Sequence, residues 1–292
     1  MNKRIGIVLS GGGAKGAFEL GALEILLEKI KSSGDTLVGI SGTSIGAFIS
    51  AFVSSGQFET LKNIWLSWNA KNCPLIQTQW YGAFGSLLLR GYMYDSEPVK
   101  NFFVKNLDVG KLLTSKVKYI NTFVRLGDGE LFYGGNITPS NTQDRAISEI
   151  MASMAFIPGT PSVNIDGIEF VDGGFRDTVP VKALIDNCEN LDKIYVITVN
   201  PEKRQWNTKI LSNSTKSLIE KLIFLYDDIL WDENNRSDIE IGKLKFWNKE
   251  KYSVIYPLVM KQVTTSFEPD LIRESFHHGR QIMENHFVSE KL

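Results

Sequence analysis

Apolar and polar positions along this chain keep two different periods, and the switches between them mark its elements. Residues 4–9 (RIGIVL) form an unbroken β-branched run, which predicts a buried strand. After a glycine-rich break, Phe18, Ala22, Ile25 and Leu26 recur at helical spacing, with Glu24, Glu28 and Lys31 on the water side, predicting a helix over 17–30. Residues 36–40 (TLVGI) repeat the buried-strand pattern, and the small and apolar residues of 45–55 predict a second helix. Two β-loop-α units in succession, each with a glycine-rich loop, predict a parallel sheet whose function sits at the strand C-terminal ends.

Further along, 58–69 reads as an amphipathic helix with Phe58, Leu61, Trp65 and Trp68 on one side. Residues 73–94 are aromatic and apolar with scattered glycines, a pattern that fits more core, or else a mobile lid or the wall of an acyl-chain pocket. Segments 119–124 and 130–133 flank Gly127-Asp128-Gly129 as a hairpin, and 134–141 is a polar loop. A helix is predicted over 142–154, then a proline-broken turn over 155–161 and a short hairpin, 163–165 with 168–171, running into Asp172. Residues 193–200 (KIYVITVN) predict a strong buried strand. Beyond it come a polar connection (202–213), an amphipathic helix (217–231), a late strand (253–259) that Pro257 assigns to an edge, and a final helix (269–287). No repeat, low-complexity tract or linker interrupts the series. Residues 1–292 therefore read as one domain, with the motifs within about 3–200 and the helices and late strand of 201–292 packed on it.

The totals narrow the function. Charge is balanced, 32 basic against 33 acidic residues, so no basic field favours nucleic acid as a partner. Cys73 and Cys188 have neither metal-ligand spacing nor a disulfide framework. The apolar run after Lys3 and Arg4 is too short for a signal-peptide core, and no run suits a bilayer span. The expectation is a cytoplasmic protein, at most peripheral to a membrane.

The chemistry concentrates in three places. Gly42-Thr43-Ser44-Ile45-Gly46 is a G-x-S-x-G sequence between a predicted strand and helix. A serine on such a turn is held out from the backbone, and a helix N-terminus beside it favours developing negative charge. Gly11-Gly12-Gly13-Ala14-Lys15-Gly16 also sits between strand and helix. It formally matches a dinucleotide fingerprint, but Asp35 precedes the second strand, whereas a ribose-binding acid follows it. Consecutive glycines can instead aim their N–H groups at one oxyanion. The third place is Asp172-Gly173-Gly174, where a carboxylate ends an apolar strand, partly desolvated and so suited to accept the Ser44 proton. A competing base would be a histidine, but His277, His278 and His286 all fall in the final helix, not in a loop after a strand.

Taken in order and position, these three glycine motifs and the stretch 152–158 (ASMAFIP) resemble the patatin-like phospholipase family. The resemblance runs from about Lys3 to Asn200. It implies a three-layer α/β/α fold with a mainly parallel central sheet and a Ser–Asp dyad without histidine. By analogy Ser44 is the nucleophile, Asp172 the general base, and the amides of Gly12 and Gly13 the oxyanion hole. Gly11, Gly16, Gly42, Gly46, Gly173 and Gly174 complete the motifs. Lys15 stands where related lipid hydrolases carry a basic residue, which could touch a phosphate head group of the substrate. One departure is visible: Thr178 occupies the place, two residues before Pro180, where the family often has asparagine. The expected activity is cleavage of fatty-acyl esters, of phospholipase A or lysophospholipase type, with acyl transfer open to the same parts. No cofactor or metal is called for, and the expected partner is a lipid or ester substrate met in transient contact with a membrane surface. A Ser-Asp-His hydrolase and a nucleotide-binding module are the alternatives.

Overall fold

A computed structural model describes residues 2–79, 82–138, 142–202, 251–261 and 264–290. The expected polar connection beyond 202 and the helix over 217–231 lie outside the described residues, as do Trp80 and Tyr81. The two opening β-loop-α units form as the periodicity requires: β1 (Arg4–Leu9) leads to α1 (Gly16–Ser33), and β2 (Thr36–Thr43) to α2 (Ile45–Ser54). β1 pairs in parallel with β2 on one side and with β7 (Lys193–Ile197) on the other. β8 (Tyr252–Ile255) adds in parallel at the β7 edge, the expected position, but it ends before Pro257, so that proline is not what keeps it there.

Alternation along the central strands separates two cores. Ile5, Ile7 and Leu9 of β1 and Tyr195 and Ile197 of β7 point into one core, shared with α1 and α2. Val8, Ile194 and Val196 point into the other, beneath α8 (Val181–Asn187). Both faces are covered, which is the three-layer α/β/α arrangement. On the first face α9 (Pro269–Ser289) crosses α1 at backbone distance. A Cβ on Gly21 would lie 1.9 Å from the Phe276 carbonyl, and one on Gly279 would lie 2.0 Å from that of Phe18. Glu24 is not turned to water. It pairs with Lys62 of α3 (Phe58–Leu66) at 2.6 Å and with Arg280 of α9 at 3.1 Å, tying the three helices together.

The sheet departs from parallel at β3 (Lys118–Arg125). β2 pairs with it in parallel through residues 118–122, β4 (Leu131–Gly135) antiparallel through 120–124, and β6 (Ile168–Asp172) antiparallel through 123–125. A strand has only two edges. Residues 120–122 pair with both β2 and β4, and residues 123 and 124 with both β4 and β6. So β4 holds one edge, and β2 and β6 share the other, meeting head to head. β5 (Val163–Ile165) completes the sheet beyond β6 as the expected hairpin.

β2 runs three residues past the expected end at Ile40. Ser41, Gly42 and Thr43 carry no apolar signal, but they are paired to β1 or β3 and fully buried. α7 (Gln143–Ser153) forms as expected, capped by the Thr142 hydroxyl. The sequence pattern does not foretell α5 (Glu97–Asn106), α6 (Val109–Thr114) or α8; α6 and α8 are only 6 and 7 residues long. The 73–94 stretch is only partly core. Cys73 and Met93 at its ends are core, while α4 (Gly82–Arg90) between them leaves Phe84, Leu88 and Leu89 exposed.

Candidate active site

The site is where the two strand ends meet. Thr43 ends β2 opposite Thr122, and Asp172 ends β6 opposite Phe123, one residue further along the same edge of β3. Ser44 follows Thr43 with φ 54° and ψ −121°, a conformation that L-residues avoid. Two glycines permit this elbow. A Cβ on Gly42 would fall 2.3 Å from the Gly46 carbonyl, and one on Gly46 would fall 2.6 Å from the Ser10 carbonyl. The turn therefore lies tight against the end of β1, with α2 pointing its N-terminus at Ser44. The Ser44 hydroxyl makes no hydrogen bond to a described residue and faces a pocket.

Asp172 is buried and lines the same pocket. Its Oδ1 accepts from the Gly174 N–H at 2.7 Å, which caps the tight turn over Gly173–Phe175. Gly173 has to be glycine, because a Cβ there would lie 2.1 Å from the Thr122 hydroxyl oxygen. The loop after Asp172 is bolted to the elbow. Thr43 Oγ1 donates to the Asp177 carbonyl at 2.7 Å, so the 2.6 Å bond between the hydroxyls of Thr43 and Thr122 has Thr122 as donor.

The stretch 152–158 acts as a clamp across both ends. Ser153 Oγ accepts from the Ser44 N–H at 3.0 Å, and the Ala155 carbonyl accepts from the Asp172 N–H at 2.9 Å. Met154 and Phe156, from the same stretch, line the pocket.

The glycine loop closes the third side. The Gly11 N–H donates to the Thr178 carbonyl at 3.0 Å, joining this loop to the one after Asp172. At the asparagine-to-threonine departure this tie uses the backbone carbonyl, which any residue supplies, and the Thr178 hydroxyl donates to the Gly174 carbonyl at 3.3 Å. Gly12 adopts φ 148°, and a Cβ on it would lie 2.5 Å from Val199. Among the described residues, neither the Gly12 nor the Gly13 N–H donates to a protein acceptor, and both residues line the pocket with Ser44. Lys15 is buried in the turn beneath the loop and does not line the pocket.

Behind this loop sits a residue that the hydrophobic pattern does not mark. Glu19 is fully buried on α1. It accepts from the Ser10 N–H at 2.8 Å and from the Ser10 hydroxyl at 3.1 Å. Ser10 Oγ in turn accepts from the Val199 N–H at 3.0 Å, and Val199 is the residue packed on Gly12. Burial pushes the Glu19 carboxyl well above the usual carboxylate range, and the two Ser10 bonds only partly oppose this. The signal available in the sequence was an acid on the apolar side of α1, next to Phe18.

The pocket holds about 1040 Å³ of empty space, counting the solvent at its mouth. Away from Ser44 its wall is mostly apolar, including Leu75, Ile76, Val99, Met151, Met154 and Phe267, with the hydroxyl residues Ser96, Thr160, Thr264 and Thr265 among them. No histidine lines it. His277 is exposed; the His278 ring packs on Phe18 at 5.5 Å and burial lowers its pKa; His286 packs on Tyr195 at 6.1 Å beside Glu290. Asp35 lies before β2, at the other end of the strands, accepting from the Lys3 N–H at 2.8 Å. It is not placed to hold a ribose at the glycine loop.

The family model described as patatin-like phospholipase matches residues 7–185, and the chain belongs to that family. Among solved structures it is similar to VipD from Legionella pneumophila, with a TM-score of 0.53 and 15% identity over 98% of this chain and 67% of that one. It is also similar to the type III effector protein ExoU, with a TM-score of 0.46 and 13% identity over 100% of this chain and 54% of that one. The first likeness carries the fold alone. A comparison with curated proteins finds no match. Family membership carries the coarse activity, hydrolysis of lipid acyl esters.

Proposed function

We propose that this member of the patatin-like phospholipase family cleaves fatty-acyl esters through a Ser44–Asp172 dyad. Ser44 Oγ attacks the ester carbonyl carbon while its proton passes to the Asp172 carboxylate. The carbonyl oxygen becomes an oxyanion facing the N–H groups of Gly12 and Gly13, with the α2 N-terminus adding to its stabilisation. The carbon–oxygen bond to the alcohol breaks, and that alcohol leaves with the proton held on Asp172. Water then attacks the acyl-Ser44 ester, gives its proton to Asp172, and the fatty acid departs as Ser44 Oγ recovers a proton. An alcohol in place of water would give acyl transfer from the same intermediate.

The observation that carries this reading is the shared edge of β3. It brings Ser44 and Asp172 to facing strand ends in one pocket. The uncommitted glycine amides on the same pocket support the oxyanion role, and its apolar wall supports a fatty-acyl chain over a small polar one. The absence of all three histidines from the pocket lining disfavours a triad. The test is hydrolysis of phospholipids, lysophospholipids, acylglycerols and short p-nitrophenyl esters by the wild type, Ser44→Ala, Asp172→Asn and the double variant His277→Ala/His278→Ala. The first two variants are expected to lose turnover, with fluorophosphonate labelling lost in Ser44→Ala. The histidine variant is expected to keep both. Turnover lost with the histidines and kept without Asp172 would overturn the dyad.

A further inference from the structure

Exposed apolar side chains are not spread evenly over this molecule. Among the described residues nine large ones stand exposed. Phe84, Leu88 and Leu89, at 61%, 70% and 74% exposure, lie on α4. The excursion that carries α4 has both feet at the pocket. Ile76 and Tyr94 line the wall, the Asp95 N–H donates to the Gln77 carbonyl at 2.9 Å, and the Tyr94 N–H to the Gly159 carbonyl at 2.7 Å. Leu126 and Ile168 sit just past the C-terminal end of β3, joined through the 2.8 Å bond from the Leu126 N–H to the Glu169 carbonyl. Leu258 and Val259 follow the C-terminal end of β8. Seven of the nine thus belong to the end of the sheet that holds Ser44, leaving Val104 on α5 and Val288 at the far end of α9.

We infer that this end of the molecule docks on the surface of a phospholipid bilayer, with the α4 face of Phe84, Leu88 and Leu89 entering the interfacial layer. The inference rests on the lipid-ester reading of the pocket: an ester held in a bilayer reaches Ser44 only through a mouth that meets the bilayer. Apolar burial, not charge, drives the contact. Basic residues on these segments are paired with acids: Arg90 with Asp95 at 3.3 Å, Arg125 with Asp128 and Glu130, and Lys261 with Glu274. The chain as a whole carries a net charge of −1. The surface it fits is therefore zwitterionic, and anionic lipid is not required.

The experiment is sedimentation of the full chain with phosphatidylcholine vesicles, comparing wild type, Ser44→Ala and the triple variant Phe84→Ser/Leu88→Ser/Leu89→Ser. Wild type and Ser44→Ala are expected to pellet with the vesicles, to the same extent at low and high salt. The triple variant should lose about a hundredfold in partition coefficient. Its turnover of a dispersed short-chain p-nitrophenyl ester should stay within about twofold of wild type, because the changed side chains are exposed and line no part of the pocket. Vesicle binding by the triple variant equal to wild type overturns the inference. So does loss of the dispersed-ester turnover, which would make α4 part of the pocket, and so does a wild-type dimer that the triple variant abolishes, which would make a second copy the occupant. Turnover surviving in Ser44→Ala would instead count against the dyad, and the vesicle measurement does not depend on it.

Discussion

Ser44 is held in a backbone conformation that glycine accepts and serine does not, and this gives a sharp stability prediction. At φ 54° and ψ −121° an L-residue costs on the order of 1–3 kcal/mol. Ser44→Ala removes the hydroxyl but keeps the Cβ, so it keeps that strain. Ser44→Gly removes both. Glycine also adds freedom to the unfolded chain, which offsets about 0.5–1 kcal/mol of the relief. Ser44→Gly is thus expected to be more stable than Ser44→Ala by about 1 kcal/mol, or about 2 °C in Tm for a chain of this size. Neither variant should turn over an ester, so the gain comes without activity. The assay is urea unfolding of the two variants side by side, followed by tryptophan fluorescence, with midpoints compared at equal slopes. A glycine variant equal to or weaker than the alanine variant would show that the elbow is not strained, and that the tight packing of Gly42 and Gly46 only shapes the turn.

Three further outcomes follow from the loops around the elbow. Gly12→Ala puts a Cβ 2.5 Å from Val199, which must displace the amides of the glycine loop; kcat is expected to fall by about 10²–10³. Near-normal kcat in that variant would remove those amides from the mechanism. Thr178→Val keeps the carbonyl that holds Gly11 and loses only the 3.3 Å hydroxyl bond to Gly174, so stability should drop by about 1 kcal/mol and turnover by less than about tenfold. A larger loss of turnover would mean the side chain, not the carbonyl, supports the Asp172 loop. Glu19 has a folded-state pKa raised by burial, so above the ordinary carboxylate range the unfolded chain gives up this proton before the folded one does. Stability should therefore fall as pH rises through that window, by about 1.4 kcal/mol per pH unit from this group. Glu19→Gln keeps the acceptor for Ser10 and should remove that slope, gaining on wild type near pH 7 but not near pH 4. Parallel slopes in urea melts of the two proteins at a series of pH values would contradict a neutral, buried Glu19.

The sequence by itself determined the local parts. The elbow is readable from Gly42 and Gly46 because its sterics act between residues four apart. The first β-loop-α units are readable because burial on one or both faces imposes a period on adjacent residues. Tertiary structure decided how the parts meet. Asp172 lies 128 residues from Ser44, and no period links them; the link is the edge of β3, whose pairing with β2 stops at Thr122 and with β6 begins at Phe123. The family resemblance named both residues, but the reason they meet is that register. Two supports were hardly legible. Glu19 looks like any acid on a helix until Ser10 and Val199 close over it, and the Thr178 tie to Gly11 is made by a carbonyl, which leaves no mark on the residue type. The position of Ser44 in the chain was therefore local information, whereas its place beside the Asp172 carboxylate and two glycine amides that no described residue engages exists only once strand pairing has set which edge each loop leaves from.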